Sequence, residues 1–316
     1  MKLDVLAPGV LTTVQDHGRV GWRHLGVALA GALDTEAAAL ANRLAGNADG
    51  AAVLELTLHG PTLRLPRPVR IAICGAAVQA HFEDEAGART ILGAGRPVDL
   101  PAGTLRLGPI RDGLRAWVAF GGGIDVPVVL GSRSTDLRGG FGGLQGRALR
   151  RGDELPLANP PALDCTTPRM TRWWVDPVEH DPDAPIRFVP STHALAMRLE
   201  GNHWRISAHG NRQGLRLEGP ALPATGGDVI SAAVAPGTLQ LPPDGQPIVL
   251  LADAQTVGGY PRLGHVVAAD LPRLAQFRPG AGLRLQAIDA PDAAALLRAR
   301  RVLYARLHHA VADRRA

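Results

Sequence analysis

The chain reads as a mainly β protein of two domains, and three observations carry that reading. Glycine and proline, 38 and 26 of the 316 residues, make up about a fifth of the chain, well above the usual share of roughly 12%. Breakers at that density favour many short strands joined by turns over long helices. Short apolar runs recur between the breakers, and the length spans about two ordinary domains.

The elements follow in order. Residues 3–15 alternate loosely around Pro8 and Gly9, as a strand and turn would. Asp34 then opens a helix as its N-cap, with Glu36 in the first turn, Leu40 and Leu44 on an alanine-rich body, and Gly46-Asn47 as the stop. Strands are predicted at 53–58, 69–74, 104–107 and 115–120, followed by a glycine-rich stretch over 121–152. Eight prolines fall between 156 and 190, and the domain boundary is placed there. A second strand-rich region covers about 186–288. The tail reads as a helix with Leu296, Leu303 and Leu307 on one face. The expected division is 1–165, 166–290 and a helical tail 291–316.

A faint repeat supports two related β units. Leu56-x-Leu58-x-Gly60-Pro61-x-Leu63 is echoed by Leu215-x-Leu217-x-Gly219-Pro220-x-Leu222, and Gly103-Thr104-Leu105-x-Leu107 by Gly237-Thr238-Leu239-x-Leu241.

Composition removes whole classes of chemistry. Lys2 is the only lysine among 34 basic residues. A Walker-type glycine loop ending in lysine and a pyridoxal Schiff base are thereby excluded. The net charge is +5, and the arginines are scattered among acids without interleaved aromatics. Nucleic acid is therefore not an expected partner. Cys74 and Cys165 stand apart with no metal or redox spacing, which fits a reducing compartment. The N-terminus lacks an apolar signal core and no run approaches a membrane span, so a cytoplasmic protein without membrane contact is expected.

No ready-made catalytic or metal motif is present. Ser132, Arg133, Ser134, Thr135 and Asp136 lie on a glycine-flanked loop suited to an anionic substrate or phosphate. Gly140 and Gly142 would let backbone N–H groups approach such a ligand. The same residues also fit a clasp in which Asp136 pairs with Arg133. Gln15, Asp16, His17 and Arg19 form a second polar cluster, a site wall or a turn clasp. Asp253, Gln255, Thr256 and Tyr260 form a third, just after the apolar run Ile248 to Leu251. His209 and His265 titrate near neutrality if solvated.

Four strings, TTVQDHGRVGW, GALDTEAAALANRLAGN, GGIDVPVVLGSRSTDLRGGFGG and PPDGQPIVLLADAQTVGGYPR, together resemble the biotin-dependent carboxyltransferase-like, or allophanate hydrolase subunit 2, family. The resemblance covers nearly residues 1–290. Members include the C subunit of bacterial 5-oxoprolinase and the KipA regulator, and a related segment occurs in urea carboxylase. It implies a pair of cyclophilin-like β-barrels and a KipI-like B subunit as partner. With a lactam-utilisation A subunit, such a complex opens 5-oxoproline to glutamate using ATP with Mg2+. That chemistry needs polar catalytic groups for the ring amide, which Asp253, Gln255, Thr256 and Tyr260 suit, and anion binders for the phosphate, which Arg133, Arg212 and the 139–143 loop suit. Covalent biotin is not expected on a chain with one lysine. The other readings are a KipA-like module that sequesters a kinase inhibitor and a carboxyltransferase subunit of a urea or allophanate pathway. The chain departs from the expected pattern at Ala232, His209-Gly210, Ala254 (where a basic residue is expected) and Val257 (where a threonine is usual).

Overall fold

The computed structural model describes residues 1–175, 183–223 and 230–315. Strands dominate, and the contacts divide the chain into two compact units. One comprises Met1–Arg19, Ala30–Pro177 and Leu307–Ala316; the other comprises Val20–Leu29 and Val178–Arg306.

The first unit is a ten-stranded, branched sheet. Its spine is the antiparallel pair Val69–Glu83 and Gly103–Phe120, paired from Ile71↔Phe120 to Glu83↔Thr104. The two strands expected at 104–107 and 115–120 are one long strand. Its continuity comes from register shifts between Gly75 and Ala77 and between Val78 and Ala80, which let the pair bend without ending. Leu54, Leu56, Leu63, Ile73, Phe82, Leu105, Val118 and Phe120 fill the core. The helix Thr35–Ala45 packs against the spine strands. Its start is set by Asp34, whose carboxylate accepts from Glu36 and Ala37 N–H, and its end by left-handed Gly46.

The second unit closes into a seven-stranded barrel. The strand Ile186–Pro190 seals it, pairing antiparallel with Arg262–Val266 and parallel with Gly282–Ala287. Phe188, Leu217, Leu239, Val249, Leu263 and Trp204 are buried, and the Trp204 indole N–H donates to Leu199 O at 3.0 Å. The Gly-Thr-Leu-x-Leu echo behaves alike in both units: Leu105 and Leu107, and Leu239 and Leu241, are all buried. A separate two-stranded ribbon pairs Ala232–Ala233 with Val257–Gly258.

The tail helix runs Ala290–Arg315, and its covered face departs from the expected one at Leu303. Leu303 is 54% exposed, whereas Tyr304 and Val311 are buried. Leu296 and Leu307 are half-buried as expected, together with 297, 300 and 308, and Arg300 lies over the Tyr304 ring at 5.2 Å. Only Leu303 falls outside the stripe, whose centre is Tyr304, and the half-buried arginine stem at 300 covers apolar surface beside it.

Candidate functional site

In the first unit, the candidates Gln15, Asp16, Ser132, Thr135 and Asp136 converge. Asp16 follows the strand Leu11–Gln15. Its Oδ1 accepts from Ser132 Oγ and Ser134 Oγ at 2.5 Å each and from Gly18 N–H at 2.8 Å. Its Oδ2 accepts from Arg133 N–H at 2.5 Å. The Asp16 N–H donates to Ser134 Oγ at 2.9 Å, and the Ser134 N–H donates to Ser132 Oγ at 2.9 Å. The Thr135 hydroxyl donates to Val14 O at 3.0 Å. Gln15 Nε2 donates to Thr13 Oγ1 at 3.0 Å and to Thr135 O at 3.3 Å. These hydroxyls are engaged within the chain, and one buried carboxylate stitches the loop to the strand through charge-assisted bonds.

Asp136 folds the glycine stretch on itself. Its Oδ1 accepts from Arg138 and Gly139 N–H at 3.1 and 2.8 Å, and its carbonyl accepts from Gly140 and Phe141 N–H. The N–H groups expected to face a ligand at 139–141 therefore face Asp136. Arg133 does not pair with Asp136. Its Nε donates to Val126 O at 3.0 Å and its Nη2 lies 3.4 Å from the Asp125 carboxylate, with the side chain 38% exposed.

Arg19 was legible only as part of a polar cluster, with no role of its own, yet it is fully buried. Its Nη2 donates to Ser134 O at 2.5 Å and its guanidinium lies 4.6 Å from the Phe141 ring centre. This explains Gly142: a Cβ there would stand 2.1 Å from Arg19 Nη2 and 2.2 Å from Ser134 O. Gly140 has a similar left-handed backbone, φ +68° against +70°, but open space around a Cβ. Both alanine variants carry the left-handed penalty of about 1–2 kcal/mol. Gly142→Ala should cost about 1–3 kcal/mol more than Gly140→Ala from overpacking, read as a shift in urea midpoint. Equal losses would contradict the packing account.

A second buried network was also missed. Glu55, 2% exposed, accepts from the Trp117 indole N–H at 3.0 Å and Leu33 N–H at 2.9 Å, with Arg115 Nε 3.8 Å away. In the sequence Glu55 alternates with Leu54 and Leu56 and reads as a solvent-facing strand residue. Only the tertiary cover over that face makes it internal.

In the second unit, Arg212 and Asp253 form a two-bond pair. Nε and Nη2 each donate to one carboxylate oxygen at 2.9 Å, with both side chains 3% exposed. The fork expected to take phosphate is thus turned onto Asp253, and the Asp253 carboxylate onto Arg212. The Asp253 N–H also donates to Arg212 O at 3.1 Å. Ala254 is fully buried in a small cluster with Val234 and Leu250, a place without room for the basic residue expected there. Beyond the pair, Gln255 is half-buried, Thr256 is 9% exposed and Tyr260 is 45% exposed. Val257 and Gly258 form one strand of the ribbon. Thr256 O accepts from Val234 N–H at 3.0 Å.

The two histidines do not join these clusters. His209 N–H donates to Ser207 Oγ at 3.3 Å, and His265 Nδ1 lies 3.4 Å from Thr238 Oγ1. Cys74 and Cys165 are free and buried, and burial pushes both thiols up in pKa. Among the described residues no three His, Cys, Asp or Glu side chains are placed to hold a metal.

The carboxyltransferase domain family, subdomain A and B, matches residues 25–287. The 5-oxoprolinase C subunit of Escherichia coli K12 is 38% identical over 285 residues, covering 88% of this chain and 88% of that protein. The protein of the same name from Haemophilus influenzae is 33% identical over 303 residues, covering 94% of each. The crystal structure of Kluyveromyces lactis urea carboxylase superposes with a TM-score of 0.84 at 28% identity. It covers 96% of this chain, which spans only 29% of that enzyme. With most of its length matched in sequence and in fold, the chain belongs to the carboxyltransferase domain family, subdomain A and B.

Proposed function

We propose that this chain is the C subunit of a heteromeric, ATP-dependent 5-oxoprolinase. Its partners in this reading are a KipI-like B subunit and a lactam-utilisation A subunit in the cytoplasm. The observation that carries the proposal is the 38% identity to a 5-oxoprolinase C subunit across 88% of both chains. No described helix is long and apolar enough to cross a membrane.

The chemistry accounts for the need for partners. A lactam is a resonance-stabilised amide, and phosphorylating its oxygen makes the ring carbon electrophilic enough for water to attack. In this reading Gln255, Thr256 and Tyr260 supply polar contacts to the cyclic amide. Arg212 and Asp253 hold the segment that carries them, as Asp16, Ser132 and Thr135 hold the loop of the first unit. The N–H groups at 139–141 are turned onto Asp136. ATP with Mg2+ belongs to the complex in this reading, with those N–H groups engaged inside the chain. Biotin is not attached in this reading: the single lysine, Lys2, lies in the strand Lys2–Ala7 and pairs with Glu154 at 2.6 Å.

A second reading, a carboxyltransferase unit acting on urea or a related amide, is favoured by the 0.84 TM-score to urea carboxylase. Reconstitution separates the two. The chain mixed with both partner subunits should release glutamate from 5-oxoproline only when ATP is present, and the purified chain alone should release none. Steady release by the single chain would refute the need for partners. No release by the full set would refute the function.

A further inference from the structure

The ribbon in the second unit carries a cation outside the three polar clusters of the sequence. Arg23 lies in the short helix Arg23–Leu25, and its Nη2 donates to Val234 O at 2.5 Å and Gln255 O at 3.4 Å. Val234 and Thr256 are themselves bonded across the two arms of the ribbon. The site candidates Gln255 and Thr256 are thus beside a guanidinium more than 230 residues earlier in the chain.

That guanidinium is only partly used. Arginine presents N–H donors in a planar fork; here Nη1 is buried and has no hydrogen-bond partner among the described residues. No described carboxylate acts on Arg23, and burial alone pulls its pKa below the ordinary arginine value. It stays charged at neutral pH. Two further observations point the same way. Gln240, 1% exposed, has an Nε2 with no partner among the described residues, and Gly258 of the ribbon lies against it. Arg262 Nη1 donates to Ala233 O at 3.3 Å, bringing a second positive charge to the ribbon. Buried donors are almost always paired in folded proteins. Among the described residues, two orphaned donors and two guanidinium groups lie along one ribbon with no carboxylate acting on Arg23, an arrangement suited to an anionic ligand.

We propose that Arg23 is a substrate-binding residue whose guanidinium holds the carboxylate of a small cyclic amide at the Gln255–Tyr260 ribbon. The demand for an anionic acceptor rests on the geometry; the identity of that acceptor rests on the 5-oxoprolinase reading. The anion role expected of Arg212 is closed to it, because its fork is turned onto Asp253. Arg23 supplies the missing cation, and a carboxylate beside a ring amide matches a cation set beside polar side chains.

Calorimetric titration of the reconstituted complex without ATP tests this, using 5-oxoproline, its neutral carboxamide and inorganic phosphate. Arg23→Gln, which keeps a donor for the ribbon carbonyls, should weaken 5-oxoproline binding by about 10- to 150-fold. It should leave carboxamide binding unchanged. Arg23→Lys should fall between, because an ammonium lacks the fork. Melting temperatures without ligand should match wild type. Wild-type affinity for 5-oxoproline in Arg23→Gln would overturn the proposal. Equal loss of both ligands, or loss of phosphate binding alone, would also overturn it, as would a wild-type complex that binds no carboxylate. Arg23-dependent binding of 5-oxoproline by a complex that never hydrolyses it with ATP would instead overturn only the 5-oxoprolinase reading.

Discussion

Asp253→Ala should destabilise the protein by about 3–5 kcal/mol, because it strands a guanidinium inside the fold without its counter-charge. Arg212 and Asp253 are each 3% exposed and exchange two bonds of 2.9 Å. Solvent cannot replace the lost partner. Arg212→Ala should cost a similar amount for the mirror-image reason. The double replacement Arg212→Met with Asp253→Leu should recover most of the loss, since apolar groups of similar volume often substitute for a buried pair with little penalty. Urea unfolding followed by circular dichroism reads all three. In the scaffold account, turnover in the reconstituted complex falls with the folded fraction and returns in the double variant. An Asp253→Ala protein as stable as wild type but without turnover would return Asp253 to direct chemistry.

The second large effect is expected at Asp16. Asp16→Ala would orphan the Ser132 and Ser134 hydroxyls and the Gly18 and Arg133 N–H groups. Each unsatisfied buried donor costs about 1–3 kcal/mol. Rearranged hydroxyls and entering water offset part of that sum, leaving about 3–5 kcal/mol. Asp16→Asn should lose roughly half as much, because the amide keeps one accepting oxygen but not the charge. A change within about 0.5 kcal/mol for Asp16→Ala, the range of ordinary surface substitutions, would show that the clasp is not what holds the 132–143 loop.

What the sequence revealed depended on how local the signal was. The helix after Asp34 was legible because its cap, first-turn acid and glycine stop lie within about a dozen residues; the Asp34 carboxylate takes the Glu36 and Ala37 N–H groups, and the Gly46 N–H reaches Asn42 and Arg43 carbonyls. The turn-rich β character was equally plain, and the Gly-Thr-Leu-x-Leu echo marks a strand with inward leucines in each unit. The tail was legible as a helix and only in part in its orientation: Leu296 and Leu307 are half-buried, but the fully buried positions are Tyr304 and Val311 and Leu303 is exposed. The candidate site was legible as a set of residue types and not as a set of partners. Asp16 meets Ser132 and Ser134 across more than 110 residues, and Arg212 meets Asp253 across 41. Arg23 reaches Gln255 across 232. Residues named singly as ligands for a substrate are in several cases ligands for one another. Nothing in the local spacing of Arg212 or Asp16 distinguishes those two fates.

The most direct measurement of the functional account is turnover by the purified three-subunit complex, offered 5-oxoproline or urea in parallel, with and without avidin to sequester any biotin. The account predicts ATP-dependent release of glutamate from 5-oxoproline that avidin leaves unchanged, and no ATP consumption driven by urea. Urea-driven ATP consumption that avidin abolishes, with no glutamate from 5-oxoproline, would contradict it.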